Sequence, residues 1–287
     1  PAPFRALWNQ PCSGSCRSVD GKPFPFNLSL FGIDANPNAT DLKTGAPAGP
    51  AFNGPVVATL YPYSSEGGTG RYPSYSCPKA PFTEKNCKPI NGGSPQLANL
   101  TEHLEAWSRD ISRLFPDPGS SAVVALDWEK WWPIWENNEP DNNASSYFVY
   151  AEVARRLVRE QSPALPPAAV EAQAKRAWEA STLQWLVQTV EAARRRRPKI
   201  TWGFYNMPGE TAEGRKKGSL AALWSAVDGL FPSIYASSPN PATNAARASR
   251  RLAEARRVAD TYPAADRSPK PIFAYTLAEY DDDNCPP

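Results

Sequence analysis

The chain has 287 residues, of which 21% are charged, and its net charge at pH 7 is +2. A chain of this length can bury a sizeable core. The near-neutral charge and the lack of any RNA- or DNA-reading motif argue against a nucleic-acid-binding protein. No apolar run is long enough to cross a bilayer, so we expect a soluble chain without a membrane span.

Six short apolar segments predict buried strands. In chain order they are 4–8, 56–61, 123–126, 200–205, 230–235 and 272–280. Apolar residues recurring every three or four positions predict helices between them. The first of these helices begins at Asn99, and the others cover 147–159, 169–197, 219–227 and 244–260. Strands alternating with helices, without hairpin signals, indicate parallel βαβ units.

Several strands end in aromatic or acidic residues, which is where β/α barrels build their active sites. These residues are Tyr61, Asp127, Glu129, Tyr205, Tyr235 and Asp281. We therefore predict an α/β fold, a distorted (β/α) TIM-like barrel forming a single domain over 1–287. Proline-, glycine- and asparagine-rich stretches predict long loops at 34–55 and 64–93.

The cysteines and glycosylation sequons favour a secreted, extracellular protein. The five cysteines are Cys12, Cys16, Cys77, Cys87 and Cys285, and Asn-x-Ser/Thr sequons occur at Asn27, Asn38, Asn99 and Asn143. Cys77–Cys87 is the easiest disulfide to propose, and the odd count leaves one thiol free or joined to another chain. The first residues do not resemble a signal peptide, which predicts a mature or excised segment.

The apolar segment 123–126 runs directly into the sequence Asp127-Trp128-Glu129. Side chains two apart on a strand share a face, so the two carboxylates are expected side by side. Two neighbouring carboxylates do not both ionise easily, and one can then hold a proton near neutral pH. A glycosidase needs such a proton donor. The alternative interpretation is a solvated rim or an ordinary salt-bridge donor.

Several segments together resemble the hyaluronidase family of bee-venom and mammalian type. They are the segments 8–11 (Trp-Asn-x-Pro), 91–104, 126–133 (Leu-Asp-Trp-Glu, then Trp-x-Pro), 202–205 (Trp-Gly-Phe-Tyr) and 231–235 (Phe-Pro-Ser-Ile-Tyr). The order and spacing agree over most of the chain, and residues 12–90 match least. In this resemblance His103 matches a family position but is expected to be structural, because it lies within a helix.

The resemblance implies a retaining, substrate-assisted endo-glycosidase acting on a glycosaminoglycan-like polysaccharide, with no cofactor and no metal. Glu129 would protonate the glycosidic oxygen, and Asp127 would orient the acetamido group that acts as nucleophile. The residues implied to bind substrate are Tyr205, Tyr235, Tyr61, Asp281 and Trp132, the last standing where the family usually has arginine.

The resemblance also implies that the last barrel strand of the family is absent from this sequence. We therefore expect the barrel to be incomplete at its C-terminal end, or completed by another chain. Cys285 could be joined to such a chain or could pair with Cys12 or Cys16. A second hypothesis follows from these departures. In it, the chain is a catalytically inactive, hyaluronidase-like module that serves as a structural or glycan-binding part of an extracellular assembly.

Overall fold

The computed structural model describes residues 5–9, 28–40, 47–62, 69–79, 82–138, 148–209 and 220–276. Some predicted residues lie outside these ranges: Cys12, Cys16, Cys285, Asp281, Asn27 and Asn143. Asn38 is described by its backbone alone. None of the helices in the described ranges is long and apolar enough to span a membrane.

The described residues form nine short strands and five α-helices. The strands are β1 (Ala6–Trp8), β2 (Ile33–Ala35), β3 (Asn38–Thr40), β4 (Pro47–Pro50), β5 (Val57–Leu60), β6 (Ser74–Ser76), β7 (Lys88–Ile90), β8 (Val123–Leu126) and β9 (Thr201–Phe204). The helices are α1 (Leu100–Leu114), α2 (Phe148–Gln161), α3 (Pro167–Arg196), α4 (Ala221–Ala226) and α5 (Pro241–Thr261). Two short 3₁₀ helices cover Leu28–Phe31 and Trp135–Asn138.

The central sheet contains β5, β8 and β9 in that order, and both pairs of neighbours are parallel. Val123 pairs with Val57 on one side and with Thr201 on the other, so the three strands end at one level. Every residue of β5 and β8 is buried, as expected for parallel strands covered on both faces. The carboxyl ends of the three strands therefore meet at one edge, where a barrel site would lie.

Two further predicted strands, 230–235 and 272–280, are present in the described residues only as isolated bridges. Phe231 bridges Tyr205 after β9, and Leu230 and Ser233 bridge Ile272 and Tyr275 in parallel. Within the described residues the prediction of full strands is wrong, and 277–280 lie outside these residues. Pro232 has no amide hydrogen to donate, which interrupts a ladder at this point. The bridges nevertheless extend the β5–β8–β9 arrangement in the predicted order.

The helices cover the sheet with an aromatic core. Helix α1 packs on α3, and α3 packs on α2. Seven indoles no more than 3% exposed lie within the core of this layered structure: Trp107, Trp128, Trp131, Trp135, Trp178, Trp185 and Trp202. Each buries a large apolar area, and truncating one such side chain to alanine costs ~3–5 kcal/mol in typical cores.

The two stretches predicted as loops contain short antiparallel pairs. Strand β3 pairs with β4 inside 34–55, and β6 pairs with β7 inside 64–93. These pairs gave no hairpin signal in the sequence, because three- and four-residue strands carry too little alternation to be recognised. The Cys77–Cys87 disulfide is confirmed. Since Cys77 follows β6 and Cys87 precedes β7, the bond closes the loop that joins these strands.

Candidate active site

The two predicted acids directly follow β8. Strand β8 ends at Leu126, so both acids lie just beyond the strand on which they were expected. The Asp127 amide still donates to the Leu60 carbonyl at 3.0 Å. The Asp127 and Glu129 carboxyl groups hydrogen-bond to each other. Trp128 between them is 3% exposed and belongs to the aromatic core. The side chains thus continue to alternate between two faces after Leu126, and both acids lie on the face opposite the buried Trp128.

Burial and a like charge favour the protonated form of this acid pair, as we call Asp127 and Glu129 from here on. Burial raises the pKa of Asp127 to about 7, and the nearby Glu129 charge acts in the same direction. A hydrogen bond from the Tyr61 hydroxyl opposes the rise in the Asp127 pKa, because it stabilises the carboxylate. The pair can therefore retain one proton close to neutral pH.

Three tyrosines form a group beside the acid pair. The Tyr205 ring lies 6.1 Å from that of Tyr235 and 5.1 Å from that of Tyr275, between centroids. The Tyr235 hydroxyl hydrogen-bonds to that of Tyr205, which also lies 3.2 Å from Ser233 Oγ. Burial, the largest cause, raises the pKa of both Tyr205 and Tyr235 above the ordinary value of 10, so both stay neutral donors.

Tyr275 was not predicted as a site residue, although it connects three segments of the barrel. Its hydroxyl lies 2.7 Å from Thr59 Oγ1 on β5 and 3.3 Å from Asn9 Oδ1 after β1. The Thr59 hydroxyl also donates to Asn9. Burial raises the pKa of Tyr275 to about 12. No sequence pattern indicates this role, because Tyr275 falls inside the predicted last strand and not at its end.

Two residues that were not predicted as site residues, Asn206 and Arg251, form a chain of contacts that ends at the acid pair. Asn206 Nδ2 donates to Glu129 Oε1 at 3.2 Å. Arg251, on α5, donates through Nη1 to Asn206 Oδ1 at 2.6 Å and to the Ser233 carbonyl at 2.6 Å. Asn206 follows β9, so the strand-end argument could have identified it. Arg251 is one of many arginines on its helix, and nothing in the sequence distinguishes it.

The other predicted substrate-binding residues in the described ranges, Tyr61 and Trp132, lie in different parts of the site. Tyr61 is 42% exposed and adjoins Asp127 through their hydrogen bond. Trp132 lines a neighbouring pocket with an empty volume of about 470 Å³, which it shares with Asn206, Met207 and Trp224. The pocket therefore borders the acid pair through Asn206, and Trp132 does not lie within the tyrosine group.

His103 lies in the aromatic core and not at the strand ends, as predicted. It is fully buried, and its Nδ1 accepts from the Arg71 amide at 2.9 Å while Nε2 lies 3.0 Å from Thr189 Oγ1. Burial lowers the pKa of His103 to about 3. Because Nδ1 is occupied as an acceptor, Nε2 carries the hydrogen of the neutral ring.

Asn99 caps α1: its side-chain oxygen accepts from the Glu102 amide at 3.2 Å, as expected of a residue at a helix start. Its glycosylation, like that of the other three sequons, stays a prediction. Within the ranges that the structure covers, no group of three or more His, Cys, Asp or Glu is arranged to hold a metal ion.

Comparisons with known proteins confirm the predicted TIM-like α/β fold. The sequence profile of the family described as hyaluronidase matches residues 1–285. Hyaluronidase-1 of Homo sapiens is 30% identical over 98% of the chain, and a hyaluronidase of Loxosceles intermedia is 29% identical over 81% of it. The chain spans 61% and 54% of these two relatives. The structure of bee venom hyaluronidase in complex with a hyaluronic acid tetramer has a TM-score of 0.76 and 25% identity, with 97% of this chain and 81% of that chain covered.

Proposed function

The chain belongs to the hyaluronidase family, and from this premise we propose that it is a secreted endo-glycosidase that cleaves a β-linked N-acetylhexosamine polymer of the hyaluronan type. The solved relative holds a hyaluronic acid tetramer, which supports this class of substrate. Because the chain spans only 61% of its human relative, we infer the activity from the residues of the site itself.

One observation carries the proposal: two hydrogen-bonded carboxyl groups lie at the end of β8, and the pKa of one is raised to about 7. General acid catalysis requires a group that still holds its proton near the working pH. A salt-bridge donor or a solvated rim carboxylate would have an unchanged or lowered pKa. The raised pKa of Asp127 therefore favours the catalytic interpretation over both of these.

In the proposed reaction, the proton shared by the acid pair resides on Glu129 when substrate is bound, which leaves Asp127 as a carboxylate. Glu129 donates this proton to the oxygen of the glycosidic bond as this bond breaks. The acetamido oxygen of the substrate forms a bond to the anomeric carbon, which gives a cyclic intermediate, and no second carboxylate attacks carbon. The Glu129 carboxylate then takes a proton from water as water opens this intermediate, and the original configuration at carbon is retained. Substrate-assisted hydrolysis of this kind is a known exception to the two-carboxylate scheme.

Asp127 and the tyrosines hold the reacting acetamido group. The Asp127 carboxylate accepts the amide hydrogen, which makes the acetamido oxygen more nucleophilic, and the Tyr61 hydroxyl stabilises this carboxylate. Tyr205 and Tyr235 donate hydrogen bonds to the acetamido group and the sugar next to it. Their raised pKa values keep these hydroxyl groups protonated over the working range of pH.

The experiment is hydrolysis of hyaluronan, chondroitin and chitin oligomers by the purified protein, with Glu129→Gln as the matched control. We expect turnover of at least one polymer and a loss of at least ~10²-fold on the substitution, as for removal of a general acid. If no polymer is cleaved and the protein instead assembles stably with another chain, the non-catalytic module replaces the glycosidase as the better interpretation.

Secretion and glycosylation are part of the same proposal. The Cys77–Cys87 disulfide supports an oxidising compartment, and the four sequons are acceptor sites only for a chain that enters the secretory pathway. The protein, expressed from its natural gene in eukaryotic cells, should be recovered from the medium. Its mass should fall on treatment with an enzyme that removes N-linked glycans, and an unchanged mass would contradict glycosylation.

A further inference from the structure

We propose that Asn206 is a positioning residue that directs the proton of Glu129 to one of its two carboxyl oxygens and stabilises the carboxylate left after proton donation. This inference rests on the proposed function. Its basis is a chain of contacts from α5 to the acid pair: Arg251 binds Asn206, and Asn206 binds Glu129.

The contacts fix which way the Asn206 amide faces. An arginine side chain has only donors, and Arg251 Nη1 lies 2.6 Å from Asn206 Oδ1, so the amide oxygen must face the helix. The amide nitrogen then faces Glu129 Oε1 at 3.2 Å. Because Arg251 also donates to the Ser233 carbonyl, the guanidinium itself is held in place. An amide held in this way cannot turn its oxygen toward the acid.

The fixed amide makes the two oxygens of Glu129 unequal. Oε1 accepts an N–H group, so a proton on Oε1 would oppose another hydrogen, and the transferable proton belongs on Oε2. When that proton leaves, the hydrogen bond from Asn206 becomes charge-assisted and therefore stronger. An interaction that strengthens as the proton is transferred stabilises the transition state more than the ground state, so we expect its loss to lower kcat.

The groups that can influence the shared proton of the acid pair come from four segments. Tyr61, after β5, binds Asp127, which adjoins Glu129 after β8. Tyr205 lies close after β9, and the positive charge of Arg251 acts from α5 through the amide. A change confined to Asn206 leaves all of these groups in place. The effect of the amide can therefore be separated from that of the charges.

The backbone of Asn206 decides which variants are informative. Its φ is +58°, a left-handed conformation that asparagine and glycine adopt readily and other side chains only with strain. Asn206→Gly therefore removes the amide without straining the turn. Asn206→Asp also tolerates this conformation but replaces the donor by a third carboxyl group. Asn91 also has a positive φ, +49°, and donates to the Tyr72 carbonyl, so Asn91→Gly is a matched control away from the site.

The first measurement does not need substrate: the pH titration of the acid pair, followed by carboxyl infrared absorption or by NMR of carboxyl-labelled protein. Glu129→Gln identifies the signals of the pair. Without the Asn206 donor the carboxylate is less stable, so we expect the shared proton of the pair to be lost at higher pH in Asn206→Gly, and at a still higher pH in Asn206→Asp. Asn91→Gly should titrate as the wild type does.

The second measurement is the pH dependence of kcat on the polymer that the wild type cleaves. Asn206→Gly should lower kcat by about 10- to 100-fold, the range for a hydrogen bond to a charged group, and move the basic limb of the profile to higher pH. A lower kcat with an unmoved limb and an unmoved titration would show a merely structural role and overturn the inference. If the wild type is inactive, the proposed function fails, while the titration alone still decides whether Asn206 acts on the pair.

Discussion

Two buried groups should make the stability of this protein depend on pH in opposite directions. His103 is the only histidine of the chain, and its pKa is lowered to about 3, whereas the pKa of Asp127 is raised to about 7. Below pH 6.5 the unfolded chain protonates its histidine while the folded one does not, so the contribution of His103 is lost as pH falls. The folded chain keeps a proton on Asp127 that the unfolded chain releases above pH 4, so the contribution of Asp127 is lost as pH rises toward 7.

The two effects act over the same range of pH. From about pH 7 to pH 5, linkage gives a loss of ~2 kcal/mol in the free energy of unfolding from His103. The same change of pH gives a gain of at most ~2 kcal/mol from Asp127, and about half of that is expected because its carboxyl group is only partly buried. In the wild type the gain from Asp127 therefore offsets about half of the loss from His103. Each substitution should reveal the slope of the other group.

The assay is urea unfolding followed by circular dichroism at pH 5 and pH 7, for the wild type, Asp127→Asn and His103→Gln. Glutamine can accept from the Arg71 amide and donate to Thr189 as the neutral imidazole does. Relative to the wild type, Asp127→Asn should lose ~1–2 kcal/mol between pH 7 and pH 5, and His103→Gln should gain ~2 kcal/mol. Profiles that run parallel for all three proteins would refute the assigned pKa directions.

Three further results are expected. Gly203→Ala should sharply reduce the yield of folded protein or the melting temperature, because an added Cβ would lie 2.4 Å from the Gly229 carbonyl oxygen. The expected loss in the free energy of unfolding is above ~3 kcal/mol. A melting temperature within a degree of the wild type would contradict this packing. Cys87→Ser should lower the free energy of unfolding by ~2–3 kcal/mol, as for a disulfide closing a ten-residue loop, and the wild type in reductant should match it. Tyr61→Phe should move the basic limb of the pH–activity profile upward, because Asp127 loses a donor that stabilises its carboxylate; a downward shift would exclude this hydrogen bond.

The acid pair and the helices could be predicted because their signals are local. Asp127 and Glu129 follow an apolar run that can only be a buried strand, and alternation places them together even though the ladder stops at Leu126. The 15-residue helix α1 begins directly after Asn99, the predicted start, because the apolar periodicity begins there and Asn99 caps the helix.

The rest of the site depends on contacts between distant segments, which no local pattern encodes. Asn206 and Arg251 are 45 positions apart and meet only because the Arg251 side chain reaches from α5 to the residue that follows Tyr205. Tyr275 reaches Asn9 across 266 positions. Irregular segments such as that around Pro232 were assigned full strands, because apolar composition alone does not show where backbone donors are missing.

The aromatic core has an optical consequence. Eight of the ten tryptophans are buried, so the intrinsic fluorescence of the folded protein should be blue-shifted and should move to longer wavelength on unfolding. The ring of His103 lies 4.7 Å from that of Trp185 and 5.5 Å from that of Trp128, between centroids. A protonated imidazole quenches a neighbouring indole, so the brightness of the native emission reports directly on whether this histidine is charged. Trp128 also separates the two acids in the chain, and this places a natural spectroscopic probe one residue from each of them.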